Sequence, residues 1–446
     1  MYNLLSPSDY LRHLDGPDTS SSCHKALVSL NIKKAYKPYP EDDPFYYINA
    51  TPAALAAYKP GHILSYRSIE LTPFPGIDGT KLKTWQVAYV YTDADDKAAV
   101  SVFVVIMPNN SSKDRILLQL PKTDAAISEC RTSYSLRKGS AARFASLSES
   151  PFMSNFLDQG WICVIPDYMG QQDAFGNGPL AGRCALDAAR AVLMFGALEV
   201  QPDAKLAFWG YSSGAQAVGW AASQQALYAP ELTSKIVGWA AGGLPGESKA
   251  ISVVILKSDR VAIVFAIVSN SYPALKQWLE ASLTPAGKKL YGKAAESCFG
   301  GFMFASFLKD VLGTTYFRQE RPLEEALPRK ILDQLNLDRP ESSVPSQPML
   351  ILGSLHDEVV PTADLDNLVD HWAQKGASIE YIRDRLSKHV TLCFTGFPPT
   401  LRWLQKRFDG EESHSKPGQP YIRTKMTTKT AKPRPPMREK GRPMPP

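Results

Sequence analysis

No uninterrupted apolar run of about 18 residues occurs in the 446-residue chain, which excludes an ordinary membrane-spanning helix. The nearest candidate, Ile251 to Val268, is broken by Lys257, Asp259 and Arg260. The N-terminal stretch MYNLLSPSDYLRHLDGPD lacks a charged start followed by an apolar segment of about 7–15 residues, so it does not read as a secretory signal. Cysteine is scarce. Cys23, Cys130, Cys163, Cys184, Cys298 and Cys393 form no CxxC pair and no ligand spacing with histidine, so no metal is expected. An excess of positive charge is also missing from the body of the chain. Of 50 Lys and Arg and 44 Asp and Glu, nine basic and three acidic side chains fall in Glu411 to Pro446, leaving 41 of each elsewhere. The net charge of +6 therefore belongs to the tail, and a nucleic-acid groove is not expected.

What is present alternates. TWQVAYVY and AAVSVFVVIMP, joined by TDADDK, read as a hairpin over Thr84 to Pro108. Short apolar strands follow in RILLQLP, WICVIPDY, KLAFWG, KIVGWAAGG, PMLILGS and SIEYIRD. Between them lie helical patterns, notably CALDAARAVLMFGAL, AQAVGWAASQQAL and DLDNLVDHWAQKG. This rhythm implies an α/β fold: a mostly parallel, mixed sheet with helices on both faces. It lapses between Glu247 and Gln347, where helices with Trp278, Leu279, Phe299 and Phe302 suit an inserted cap. The expected organisation is an extension over 1–38, a core over 39–410 containing the cap at 247–347, and a flexible Pro-rich basic tail over 411–446.

The chemistry is concentrated in Gly210-Tyr211-Ser212-Ser213-Gly214, a G-x-S-x-G between a strand and a helix. That pattern places a serine on a sharp turn whose glycines let the strand and helix approach closely. A serine hydroxyl needs a base to take its proton and an acid to orient the base, in the chain order Ser, Asp or Glu, His. Four histidines follow Ser212. His371 lies in an outer helix, His414 in the tail, and His356 directly after a strand; His389, in the SKHVT loop after the last expected strand, is the base candidate. Asp357 and Glu358, in the turn HDEVVP, are the acid candidates. Asp357 is preferred as first on the turn, with Asp384 third. The backbone N–H of Ser213 supplies one oxyanion donor, and the other comes from Lys122 to Ala125 after RILLQLP. The chemistry these roles suit is nucleophilic acyl transfer through an acyl-enzyme, with no cofactor.

Taken together, EDDPFY, LPKTDAAISECRTSYS, PDYMG, GYSSGAQAVGWAASQQALYAPEL, HDEVVP and SKHVT resemble the fungal secretory lipase family, the Candida-type lipase A-like group, over about Pro40 to Asp409. The resemblance implies an α/β-hydrolase core with a helical cap and a triad of Ser212, Asp357 and His389. It also implies an oxyanion donor at the backbone of Asp124, a Cys130–Cys298 disulfide and a secreted enzyme, against the intracellular reading of the N-terminus. The chain departs from the family at Ser213 and Met169, where relatives carry Gly and Glu, and at Lys257, Asp259 and Arg260 in the cap. The altered cap ranks a small-acyl esterase, like the trichothecene C-3 esterases of fungal secondary metabolism, ahead of a triacylglycerol lipase. An acyltransferase and a catalytically silent binding module are the other readings. A monomer acting on a small hydrophobic ester or lipid is expected, with no nucleic-acid partner.

Overall fold

The computed structural model describes residues 38–46, 52–246, 270, 272–296, 298, 311–337 and 343–425. Ten strands form one mixed sheet. They are β1 (Ile63–Ser68), β2 (Leu82–Thr92), β3 (Ala98–Pro108), β4 (Arg115–Leu120), β5 (Ile162–Pro166), β6 (Lys205–Tyr211), β7 (Ile236–Gly242), β8 (Met349–Ser354), β9 (Ile379–Asp384) and β10 (Tyr421–Lys425). Their order is β1-β2-β3-β5-β4-β6-β7-β8-β9-β10. The pairs from β1 through β3 to β5 are antiparallel, and those from β5 onward are parallel. This is an α/β-hydrolase fold.

The expected hairpin is β2–β3, in register from Leu82↔Pro108 to Thr92↔Ala98. Its turn is closed by Asp93, whose Oδ1 accepts from the backbone N–H groups of Asp95 and Lys97 at 2.9 and 2.8 Å. Alternate residues of the central strands enter two cores. Leu206 and Phe208 of β6 pack on one face, and Ala207 and Trp209 on the other. Burying a side chain such as Phe208 contributes roughly 1.5–3 kcal/mol, so this two-sided pattern outweighs any local strand propensity.

The flanking helices introduced here are α1 (Ser150–Asp158), α2 (Gly178–Met194), α3 (Ser213–Tyr228), α4 (Pro273–Ser282), α5 (Pro285–Ala295), α6 (Ala326–Gln334), α7 (Thr362–Gln374), α8 (His389–Thr395) and α9 (Phe397–Phe408). Residues of α2, α3 and α7 build the first core, and those of α1, α8 and α9 the second. Helix α2 starts ahead of the segment expected from Cys184. Asn177 caps it by accepting from the Leu180 N–H at 3.1 Å, and Pro179 occupies its first turn.

Helices α4, α5 and α6 lie in the chain between β7 and β8. They form a separate apolar cluster that includes Leu275, Leu279, Leu290, Phe317 and Ile331. Trp278 packs against this cluster. Lys257, Asp259, Arg260, Phe299 and Phe302 fall outside the described residues, as do residues 1–37 of the expected extension and 426–446 of the tail. Among the described residues, no helix is long and apolar enough to cross a membrane.

Part of the expected tail belongs to the sheet. Tyr421 to Lys425 pair in parallel with Glu380 to Asp384, making β10 the edge strand. The approach is fixed by buried Glu380, which accepts from Trp403 Nε1 at 2.8 Å, Ser413 Oγ at 2.9 Å and the His414 N–H at 3.2 Å. A folded role for 411–425 therefore replaces the flexible one.

Cys130 and Cys298 are disulfide-bonded across 168 residues, tying the segment after β4 to the segment between β7 and β8. Closing a loop of that length removes about 5 kcal/mol of chain entropy from the unfolded state in the simplest model. The double variant Cys130→Ala/Cys298→Ala should therefore unfold at clearly lower temperature in non-reducing calorimetry. An unchanged Tm would show that the bond adds no stability.

Candidate active site

The turn between β6 and α3 holds Ser212 at φ 56° and ψ −117°, a conformation that costs a non-glycine residue about 1–3 kcal/mol. Its N–H donates to the Gly242 carbonyl at 2.8 Å, and its carbonyl accepts from the Gln216 N–H at 3.0 Å. The neighbouring glycines are required by space. A Cβ on Gly210 would lie 2.3 Å from the Gly214 carbonyl oxygen, and one on Gly214 would lie 2.0 Å from that of Leu120. Strand, helix and the loop after β4 thus meet around Ser212.

His389 opens α8, just beyond β9. Its Nε2 is 3.0 Å from Ser212 Oγ, and its Nδ1 is 2.9 and 3.1 Å from the two carboxylate oxygens of Asp357. Three backbone or neighbour contacts set the ring. The His389 N–H donates to Glu358 Oε2 at 2.9 Å, and the His389 carbonyl accepts from the Tyr211 hydroxyl. Gly243, at φ 59°, leaves room for the imidazole, since a Cβ there would sit 2.8 Å from His389 Cε1.

Asp357 lies on the turn after β8 with its side chain 2% exposed. Burying a carboxylate is costly unless its lone pairs are met. Its Oδ1 accepts from the N–H groups of Val359 and Val360 at 2.8 and 2.7 Å. The imidazole supplies the remaining partner. Glu358, the runner-up acid, is directed to the backbone of His389 instead of its ring. Asp384 accepts from the N–H groups of Leu386 and Ser387, so it shapes the loop that delivers His389. The other histidines stand elsewhere. His356 donates through its backbone to Ser354 Oγ, His371 lies on α7, and His414 is 3.5 Å from Glu380.

On the opposite side of the elbow, Asp124 Oδ1 accepts from Ser213 Oγ at 2.5 Å. Burial pushes the Asp124 carboxyl above the usual range, and that hydrogen bond acts against the shift. Two supports of this region carried no sequence motif. Glu149 receives both the Lys122 ammonium and, at 3.4 Å, the Lys122 N–H. The Tyr168 hydroxyl donates to the Pro121 carbonyl at 2.7 Å. Tyr168 stands in the PDYMG segment beside Met169, and both are buried. Among the described residues, no group of three or more His, Cys, Asp or Glu is placed to hold a metal ion.

A hydroxyl, an imidazole and a buried carboxylate in series can move one proton away from the hydroxyl and return it to a leaving group. The sequence pattern of the secretory lipase family matches residues 137–416. A secreted triacylglycerol lipase of Malassezia globosa is 31% identical over 384 residues, covering 84% of this chain and 83% of that protein. Lipase A of Arthroderma benhamiae is 31% identical over 382 residues, covering 83% and 80% respectively. The closed-state crystal structure of Candida antarctica lipase A aligns with a TM-score of 0.77 at 26% identity, covering 86% of this chain and 90% of that one.

Proposed function

The chain belongs to the secretory lipase family, and on that premise we propose that it hydrolyses acylglycerol esters with Ser212 as nucleophile, His389 as general base and Asp357 as the carboxylate that orients it. Serine hydrolase activity on an α/β-hydrolase scaffold comes with the family. The substrate and the residue roles are our own reading. The observation that carries the roles is the chain of contacts from Ser212 Oγ to His389 Nε2 at 3.0 Å and from His389 Nδ1 to Asp357 at 2.9 Å.

In the first step the Ser212 Oγ–H proton passes to His389 Nε2 as Oγ bonds to the ester carbonyl carbon. The carbonyl π pair moves onto oxygen, and the backbone N–H groups of Ser213 and Asp124 stabilise that charge. Collapse breaks the bond to the alcohol, which leaves with the proton from His389. Water, deprotonated by the same imidazole, then attacks the acyl-enzyme carbonyl, and collapse breaks the bond to Ser212 Oγ, which takes the proton back from His389 as the acid leaves. Asp357 retains its charge throughout and steadies the imidazolium.

The departures in the cap favoured a small-acyl esterase from sequence. Relatives named as triacylglycerol lipases, matching at 31% identity over more than four fifths of the chain, favour the opposite order. An acyl-length series of p-nitrophenyl esters, with emulsified triolein as the natural comparison, tests the choice. The lipase reading expects kcat/KM to rise at least about 10-fold from acetate to a medium or long acyl chain, the worth of roughly 1.4 kcal/mol of added apolar contact. Preference for acetate with no release of fatty acid from triolein would overturn it.

A further inference from the structure

The loop after β4 is held residue by residue from separate parts of the fold. Pro121 is fixed through its carbonyl by the Tyr168 hydroxyl at 2.7 Å, and Lys122 by Glu149. Thr123 Oγ1 lies 3.1 Å from Thr132 Oγ1. Asp124 is fixed by Ser213 Oγ at 2.5 Å. The first three contacts anchor the loop to the surrounding scaffold. The fourth anchors it to the elbow itself, one residue beyond the nucleophile.

We propose that the side chains of Ser213 and Asp124 form a clasp that sets the separation of the two backbone N–H donors of the oxyanion hole, making Ser213 a positioning residue for turnover. This inference rests on the nucleophile assignment above and extends it. The two donors belong to different elements, one to the start of α3 and one to the loop after β4, and no single stretch of backbone fixes their distance. Donors help most when they are already aimed at the position of the developing charge, because no reorganisation is then needed during the reaction. A hydroxyl–carboxylate bond between the two residues supplies that constraint. The Ser213 hydroxyl has a second effect. An unmatched carboxylate beside a developing oxyanion would oppose its formation, and the hydroxyl occupies one lone pair of the Asp124 carboxyl while the Lys122 ammonium offsets its charge.

The clasp predicts coupling between the two side chains. With p-nitrophenyl butyrate, and rates normalised to active sites counted by a fluorophosphonate, Ser213→Ala should lower kcat about 10-fold with KM nearly unchanged. That is less than the 10²–10³-fold loss expected for deleting an oxyanion donor outright. Asp124→Ala should lose a similar factor. The double variant should lose no more than either alone, because both remove the same contact. Ser213→Thr, which keeps the hydroxyl, should recover most of the rate. Affinity for a trifluoromethyl ketone that forms a tetrahedral adduct should fall in step with kcat/KM, whereas binding of the product acid should not change.

A kcat for Ser213→Ala within twofold of the parent, or losses that multiply in the double variant, would overturn the clasp. Ser212→Ala separates the two levels of inference. If that variant is inert while Ser213→Ala is unaffected, the nucleophile stands and only the clasp fails. If Ser212→Ala still turns over, both fail.

Discussion

Ser212→Ala should lower kcat by about 10⁵–10⁶-fold and abolish labelling by a fluorophosphonate, while the protein remains folded. The size of the effect follows from the task of this one atom. No other hydroxyl is placed on the elbow with an imidazole nitrogen 3.0 Å away; its neighbour Ser213 is directed to Asp124. With the nucleophile gone, the oxyanion donors and substrate binding retain only a small residual acceleration over water. Folding should be little affected. The backbone bonds of residue 212 to Gly242 and Gln216 do not involve its side chain, and alanine experiences much the same strain at φ 56° as serine. Active-site titration beside a thermal melt checks both halves. Retention of more than about one hundredth of the parent rate in a folded variant would remove Ser212 from the mechanism.

The residues best read from sequence are those whose chemistry is local. Gly210 to Gly214 carries its own geometry, since strand, turn and helix follow one another directly and both glycines are required within the same few residues. The parallel strands declare themselves because burial on both faces leaves little besides Val, Ile, Leu and small residues, as in ICVIP of β5 and MLILGS of β8. Among the later histidines, chain order leaves His371, His389 and His414 after Asp357, and it is the place of His389 in the loop after SIEYIRD, not the order, that singles it out. Between Asp357 and Glu358, spacing expressed only a preference. They are adjacent on one turn, and which of them faces the ring depends on the N–H groups of Val359 and Val360 that hold Asp357.

What escaped the sequence is non-local or only half buried. β1 is an edge strand with exposed and partly exposed residues, ILSYRS, so it lacks the apolar run that marks the inner strands. β10 follows a polar stretch and precedes a Lys-, Arg- and Pro-rich segment, and composition absorbed it into the tail. Its place depends on Glu380, whose three donors come from Trp403, Ser413 and His414. The partners of the loop after β4 were invisible for the same reason: Glu149 and Thr132 meet it only in space. The disulfide between Cys130 and Cys298, implied by family resemblance, has no local mark at all, and 168 residues separate its ends.

Asp357→Asn should lower kcat by about 10⁴-fold with little change in KM, and Glu358→Gln by no more than about threefold. The contrast arises from how each carboxylate is held. Asp357 Oδ1 accepts from two backbone N–H groups, which will keep an oxygen at that position in an asparagine as well. The new NH₂ group is then forced to replace Oδ2, 2.9 Å from His389 Nδ1. A donor at that point requires Nδ1 to be the acceptor, so the ring proton moves to Nε2. Nε2 can then no longer take the proton of Ser212, although every heavy atom stays in place. Among the described residues Glu358 meets the backbone N–H of His389, and a glutamine retains an oxygen able to accept from it. Measuring both variants with a rapidly hydrolysed p-nitrophenyl ester, with melts to confirm folding, distinguishes the roles. A severe loss in Glu358→Gln beside a mild one in Asp357→Asn would transfer the orienting role to Glu358. Comparable severe losses in both would show that the backbone contact at residue 389 matters as much to catalysis as the tautomer of its ring.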